Sequence, residues 1–234
     1  MADERFYDLA CRKTVFTGHY GSGKTEIAVS LALILAARAA GKLALIDLDI
    51  VNPFFRSRER RETLEAGGVC VYGSVFFDEV TTELPALGAN LRAPLEDPGC
   101  RVIVDAGGND SGALVLNQFR EYFAGEDTTV LAVVNANRPG TASVGGALGH
   151  IAAIETATGL SVTGIVNNGH LLRETTAATV IEGYELCAKV CEATGKHLWC
   201  SCYPAGIVSP DELSGLAGGL LPLGLHMRPT WLDN

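Results

Sequence analysis

The segment Gly18-His19-Tyr20-Gly21-Ser22-Gly23-Lys24-Thr25 decides the fold. It fits the pattern G-x-x-x-x-G-K-[ST], which reads as a phosphate-binding loop when an apolar strand precedes it and a helix follows. Both are expected here. Lys13–Thr17 is a short β-type run, and Thr25–Ala40 is an Ala-rich apolar helix ended by Gly41. The chemistry accounts for the residue types. Gly18, Gly21 and Gly23 let the backbone curl so that successive N–H groups face phosphate oxygens. The helix beginning near Lys24 adds its positive end. Lys24 reaches β- and γ-phosphates, and the Thr25 hydroxyl ligates Mg²⁺. His19, Tyr20, Ser22 and Glu26 complete the expected nucleotide-contacting set from this segment.

Working outward, two more apolar runs end in acids. Leu43-Ala44-Leu45-Ile46-Asp47-Leu48-Asp49 closes on a D-x-D pair, and Val102-Ile103-Val104-Asp105 runs into Ala106-Gly107-Gly108. In parallel α/β sheets ligands sit beyond the carboxyl ends of the strands, so both sets of acids are expected beside the phosphate loop. Asp105 suits a metal-holding role through a water, and Gly108 offers its N–H to the γ-phosphate. Asp49 suits a carboxylate that orients an attacking water. Asp47 supports it or the metal shell. The expected catalytic set is therefore Lys24, Asp49 and Asp47, and the expected metal set is Thr25, Asp49 and Asp105.

The rest of the chain alternates in the same manner. Strands are expected at Thr129–Asn135, Ser161–Asn167 and Lys196–Cys202, and helices at Gly112–Phe123, Ser143–Thr158, Thr175–Thr194 and Asp211–Leu216. Between residues 50 and 98 the pattern is more polar, with short elements at Arg58–Ala66, Val69–Tyr72 and Leu84–Leu91. This alternation predicts a three-layer α/β fold. About seven mostly parallel strands carry helices on both faces, in one domain covering residues 1–234.

Composition agrees and excludes several classes. Hydrophobic residues make up 47% and charged residues 19% of 234, a globular balance. The net charge of −9 carries no basic stripe beyond Arg56–Arg61, so no nucleic-acid partner is expected. Seven scattered Cys read as reduced thiols of a cytoplasmic protein. The start Met-Ala-Asp-Glu has no apolar leader, Ile27–Ala40 is too short to span a bilayer, and the Gly/Pro/Leu-rich stretch 216–234 is no basic amphipathic anchor. No membrane binding is expected.

Taken together, Gly18–Thr25, the Asp47/Asp49 pair and the Val102–Gly108 strand resemble the MinD/ParA/nitrogenase-iron-protein group of P-loop proteins, which includes the CobQ/CobB domains. The resemblance implies an ATPase that uses Mg²⁺, often forms a homodimer around ATP, and acts as a nucleotide-dependent switch on a protein partner. It also implies an adenine-reading Asn after a late strand, which Asn167 or Asn168 matches, with Tyr203 and Pro204 as the other wall of the base pocket. One position departs. The group's signature Lys at the second place of the motif is His19 here, and His19, Arg56 or Arg58 is expected to take over its charge. Two other functions fit the resemblance: an ATP-dependent small-molecule enzyme of the dethiobiotin synthetase/CobB type, and a metallochaperone ATPase using Cys200-x-Cys202 or the Cys187/Cys191 pair. Partner or substrate contacts are expected in residues 50–98.

Overall fold

The computed structural model describes residues 11–38, 41–49, 60–73, 91–108 and 116–227. Among the described residues eight strands form one sheet: β1 (Lys13–Thr17), β2 (Lys42–Asp47), β3 (Val69–Gly73), β4 (Cys100–Asp105), β5 (Thr128–Val134), β6 (Gly164–Asn167), β7 (His197–Pro204) and β8 (Gly219–Leu223). Their order is β3-β2-β4-β1-β5-β6-β7-β8, and every neighbouring pair is parallel. Helices among the described residues include α1 (Lys24–Arg38), α2 (Arg61–Ala66), α3 (Arg120–Phe123), α4 (Val144–Thr158) and α5 (Ala177–Thr194).

The central strands are buried on both faces, as parallel strands between two helical layers must be. Side chains alternate between two cores. Phe16, Leu45, Ile103, Leu131 and Val133 join Ile27, Leu31 and Leu35 of α1. Val15, Ala44, Ile46, Val104, Val130 and Ala132 join Ile151 and Ile154 of α4 and Val190 of α5. The two-residue period of the strands thus assigns each helix to its face. Helix ends follow local chemistry. Ser143 accepts the Gly146 amide at the start of α4, Thr176 and Thr179 form a reciprocal cap at α5, and Gly159 and Gly195 end these helices in the left-handed conformation.

Most expected elements within the described residues lie within a few residues of their predicted limits. The element expected at Leu84–Leu91, Leu91 apart, and the start of the helix expected at Gly112–Phe123 lie outside the described residues, and α3 covers only Arg120–Phe123 of the latter. Two others are corrected. The helix expected at Asp211–Leu216 is a 3₁₀ turn at Pro210–Leu213. The stretch expected to be a tail contains the edge strand β8, whose Pro222 an outer strand tolerates. Arg56, Arg58 and most of residues 50–98 lie outside the described residues. Among the described residues no helix is long and apolar enough to cross a membrane.

Candidate phosphate-loop site

β1 delivers the loop at the centre of the sheet, with β4 on one side and β5 on the other. The loop turns back on itself through a Ser22 N–H bond to the His19 carbonyl at 3.0 Å. α1 then starts with the Ile27 N–H donating to the Gly23 carbonyl. Glycine is required where the neighbours close in. Gly23 has φ of +90°, and a Cβ there would strike the Asn168 side-chain amide. Gly108, beyond β4, lies against the Gly18 carbonyl so closely that no Cβ fits.

Lys24 and Thr25 open α1 with 6% and 8% exposure. The Thr25 hydroxyl donates to Asp105 Oδ2 at 2.6 Å, across 80 residues of chain. Asp105 is fully buried, and its Oδ1 has no hydrogen-bond partner among the described residues. Burial raises its carboxyl to about 6; Lys24 and the Thr25 bond oppose the rise, and Asp49 adds to it. Asp47 lies opposite Asp105 in the β2–β4 register. Its Oδ1 accepts the Asp49 N–H at 3.0 Å, a turn that fixes where the second acid of the D-x-D pair stands. Both are buried, at 4% and 7% exposure. Lys24, Thr25, Asp105, Asp47 and Asp49 are therefore brought together as expected from strand-end logic. Among the described residues no set of three or more His, Cys, Asp or Glu could hold a metal by itself. Thr25 and Asp105 offer hard oxygens, and the unpartnered Oδ1 adds an acceptor. That donor set suits Mg²⁺, which takes few protein ligands and keeps waters and phosphates for the rest.

His19 turns sideways. Its Nδ1 bonds the Tyr20 carbonyl at 2.8 Å, and its ring meets His150 of α4 edge-on at 5.4 Å between centroids. Burial, with His19 and Lys24 nearby, holds His150 below the usual histidine range. Tyr20 is 62% exposed at the loop's apex.

Three expected contacts need correction. Glu26 faces away from the loop: its carboxylate accepts the Ser30 hydroxyl and the backbone N–H groups of His226 (2.7 Å) and Met227 (2.8 Å). It closes the end of the described chain onto α1. Glu26→Ala should lower stability by about 1–3 kcal/mol through these stranded amides and leave nucleotide affinity intact. Paired urea unfolding and calorimetric titration test this. Asn167 is wholly buried. Its amide donates to the Val180 carbonyl and Ser201 Oγ, and its Oδ1 accepts the Gly169 N–H, so its polar atoms are spent inside the fold. Tyr203 is a core residue with Val180, Val208, Leu213 and Leu220, and Pro204, also buried, ends β7. Asn168 does reach the site, as a brace: its Nδ2 donates to the Ser22 carbonyl at 2.7 Å. Cys187, Cys200 and Cys202 are free and buried, and burial raises the Cys187 and Cys200 thiols.

Sequence reasoning missed four residues packed around the loop. Asn135 and Arg138 follow β5, His150 lies on α4, and His170 follows β6. Arg138 Nε donates to the Gly21 carbonyl at 2.9 Å. His170, next to Gly23, is pushed down to about 4 by burial and by Arg138. The run Asn135–Thr141 after an apolar strand next to β1 was the available signal for the first two. Seven buried side-chain atoms lack partners among the described residues: Thr17 Oγ1, Ser22 Oγ, Asp105 Oδ1, Asn135 Nδ2, His150 Nε2, Asn168 Oδ1 and His170 Nε2. Each belongs to the loop, a strand end beside it, or a side chain packed around it. Buried polar atoms are nearly always satisfied, so this concentration marks where a polar ligand belongs.

No protein-family model matches the sequence, and no curated protein matches it. Solved structures do. FtsY from Mycoplasma mycoides superposes with a TM-score of 0.54 at 14% identity, covering 80% of this chain and 58% of that one. Cell division protein FtsY from Thermotoga maritima gives 0.51 at 18% identity, over 80% and 60%. The chain thus spans under two thirds of these relatives' length. The likeness is one of fold: a three-layer α/β P-loop NTPase architecture.

Proposed function

We propose that the chain is a Mg²⁺-dependent P-loop NTPase, with ATP as its nucleotide, acting in one domain as a switch on a protein partner. The observation that carries this is the 2.6 Å Thr25–Asp105 bond beneath a loop whose Lys24 is buried. A hydroxyl from the first turn of α1 and a carboxylate from the end of β4 meet where a phosphate-bound cation would need both. Bound there, Mg²⁺ would neutralise charge on the β- and γ-phosphates. Thr25, Asp105 and Asp49 are the residues we assign to it. The loop amides and Lys24 hold the phosphates, and Asp49, oriented through Asp47, holds the attacking water.

ATP is favoured by the resemblance, and by the residues at the end of β6. Asn168-Gly169-His170-Leu171 carries no acid to pair with the guanine N1 and N2 edge. The switch reading draws on surface chemistry. The large exposed hydrophobics among the described residues are Tyr20, Leu171, Leu172 and Ile207. They follow β1, β6 and β7, at the nucleotide end of the sheet, where an occupied site would alter what a partner meets. The expected homodimer belongs to the same reading and is checked by light scattering with and without Mg-ATP.

Competition binding tests the nucleotide. ATP should bind at least as tightly as GTP, and removal of Mg²⁺ should weaken triphosphate binding more than diphosphate binding. Tighter GTP binding would overturn ATP as the nucleotide, and metal-independent binding would overturn the Thr25–Asp105 assignment.

A further inference from the structure

Arg138 is an exposed side chain on a rigid frame. The Asn135 carbonyl accepts the Arg138 N–H at 3.1 Å and the Thr141 hydroxyl at 2.8 Å, and the Arg138 carbonyl accepts the Thr141 N–H at 2.9 Å. Asn135 Oδ1 takes the Asn137 N–H at 2.9 Å. Asn135 and Thr141, the two ends of this turn, are 0% and 1% exposed. The guanidinium lies flat against the phosphate loop: a Cβ on Gly21 would sit 3.0 Å from both Arg138 Nε and Cζ. One bond, Nε to the Gly21 carbonyl, pins it.

Its side of the loop matters. The Thr25–Asp105 pair, which would hold the metal end of a nucleotide, lies on the β4 side of β1, and Arg138 stands past the end of β5, on the other side. A nucleotide fixed at its metal end therefore extends its nucleoside towards Arg138 and the loops after β5 and β6. The side chain expected to read the base there, Asn167, is spent on Val180, Ser201 and Gly169. A planar, permanently charged guanidinium stacks well on aromatic faces, and such a contact ignores which edge groups the ring carries.

We propose that Arg138 is the base-facing residue of the site, its pinned guanidinium stacking on the nucleobase and giving affinity without choosing between purines. This rests on the nucleotide-site reading above and adds the mode of base recognition.

The test compares Mg²⁺ complexes of ATP, GTP and inorganic tripolyphosphate, a probe without nucleoside, on the full chain. Arg138→Ala should weaken ATP and GTP alike, by about tenfold, and leave tripolyphosphate unchanged. Arg138→Lys keeps the charge without the plane and should recover only part of the loss. Circular dichroism and melting of both variants should match the parent, since the side chain is exposed. Unchanged ATP affinity in Arg138→Ala would overturn the proposal. So would an equal loss for tripolyphosphate, which would make the guanidinium a phosphate or loop contact. Failure of the parent chain to bind either ATP or tripolyphosphate would overturn the nucleotide-site reading itself, and this proposal with it.

Discussion

Lys24→Ala should cost Mg-ATP binding about 2–4 kcal/mol, the range for removing one partner of a buried, charge-assisted contact. Lys24 stands in the first turn of α1 at 6% exposure, so its ammonium meets phosphate with little water to screen it. Among the described residues no neighbour stands in. His150 is held below the usual histidine range, and the Arg138 guanidinium is pinned outside the loop on the Gly21 carbonyl. The variant also removes the cation that favours the ionised form of Asp105, whose carboxyl already sits at about 6. Metal binding by that carboxylate should weaken in parallel. Calorimetric titration of parent and variant with Mg-ATP is the measurement, and unchanged affinity would overturn the phosphate-loop assignment.

Much of this site was legible in the sequence because its chemistry is local. A Gly-rich turn between strand and helix carries its own spacing, and an apolar run ending in Asp announces a strand end. Asp47 and Asp49 could be placed together two residues apart, and the bond from the Asp49 amide to Asp47 Oδ1 is a local turn of that kind. What escaped depends on tertiary contact. Asn167 and Asn168 are adjacent and chemically identical. Strand alternation sends the first inward to Val180 and Ser201 and leaves the second to brace Ser22. Glu26 reads as an acid beside a phosphate loop, yet its partners are 200 and 201 residues away. The His19–His150 contact joins β1's loop to α4, and nothing in either segment signals the other. β8 hides for a different reason: a short Gly-Leu-Leu-Pro-Leu strand, paired along β7, has the composition of a tail.

The Asp49→Asn variant separates binding from turnover. Asp105 is engaged by the Thr25 hydroxyl, and the Asp47 Oδ1 by the Asp49 amide, so each already has a holding role. Asp49, buried at 7% exposure at the end of the D-x-D turn and near enough for Asp105 to feel its charge, is the carboxylate we assign to the attacking water. Water positioning acts in the transition state, so its loss lowers kcat far more than it lowers nucleotide affinity, which falls only by the share of the metal that Asp49 holds beside Thr25 and Asp105. Asn keeps the size and one side-chain oxygen but cannot take a proton. Hydrolysis should fall by about 10²-fold or more, the scale of a general-base contribution. Asp47→Asn is the contrast. It keeps an oxygen for the Asp49 amide and should lose much less. Single-turnover phosphate release at saturating Mg-ATP reads both variants beside the parent. Full turnover in Asp49→Asn would remove Asp49 from the chemistry. A matching loss in Asp47→Asn would mean that the charge of the pair, and not the placement of Asp49, drives the reaction.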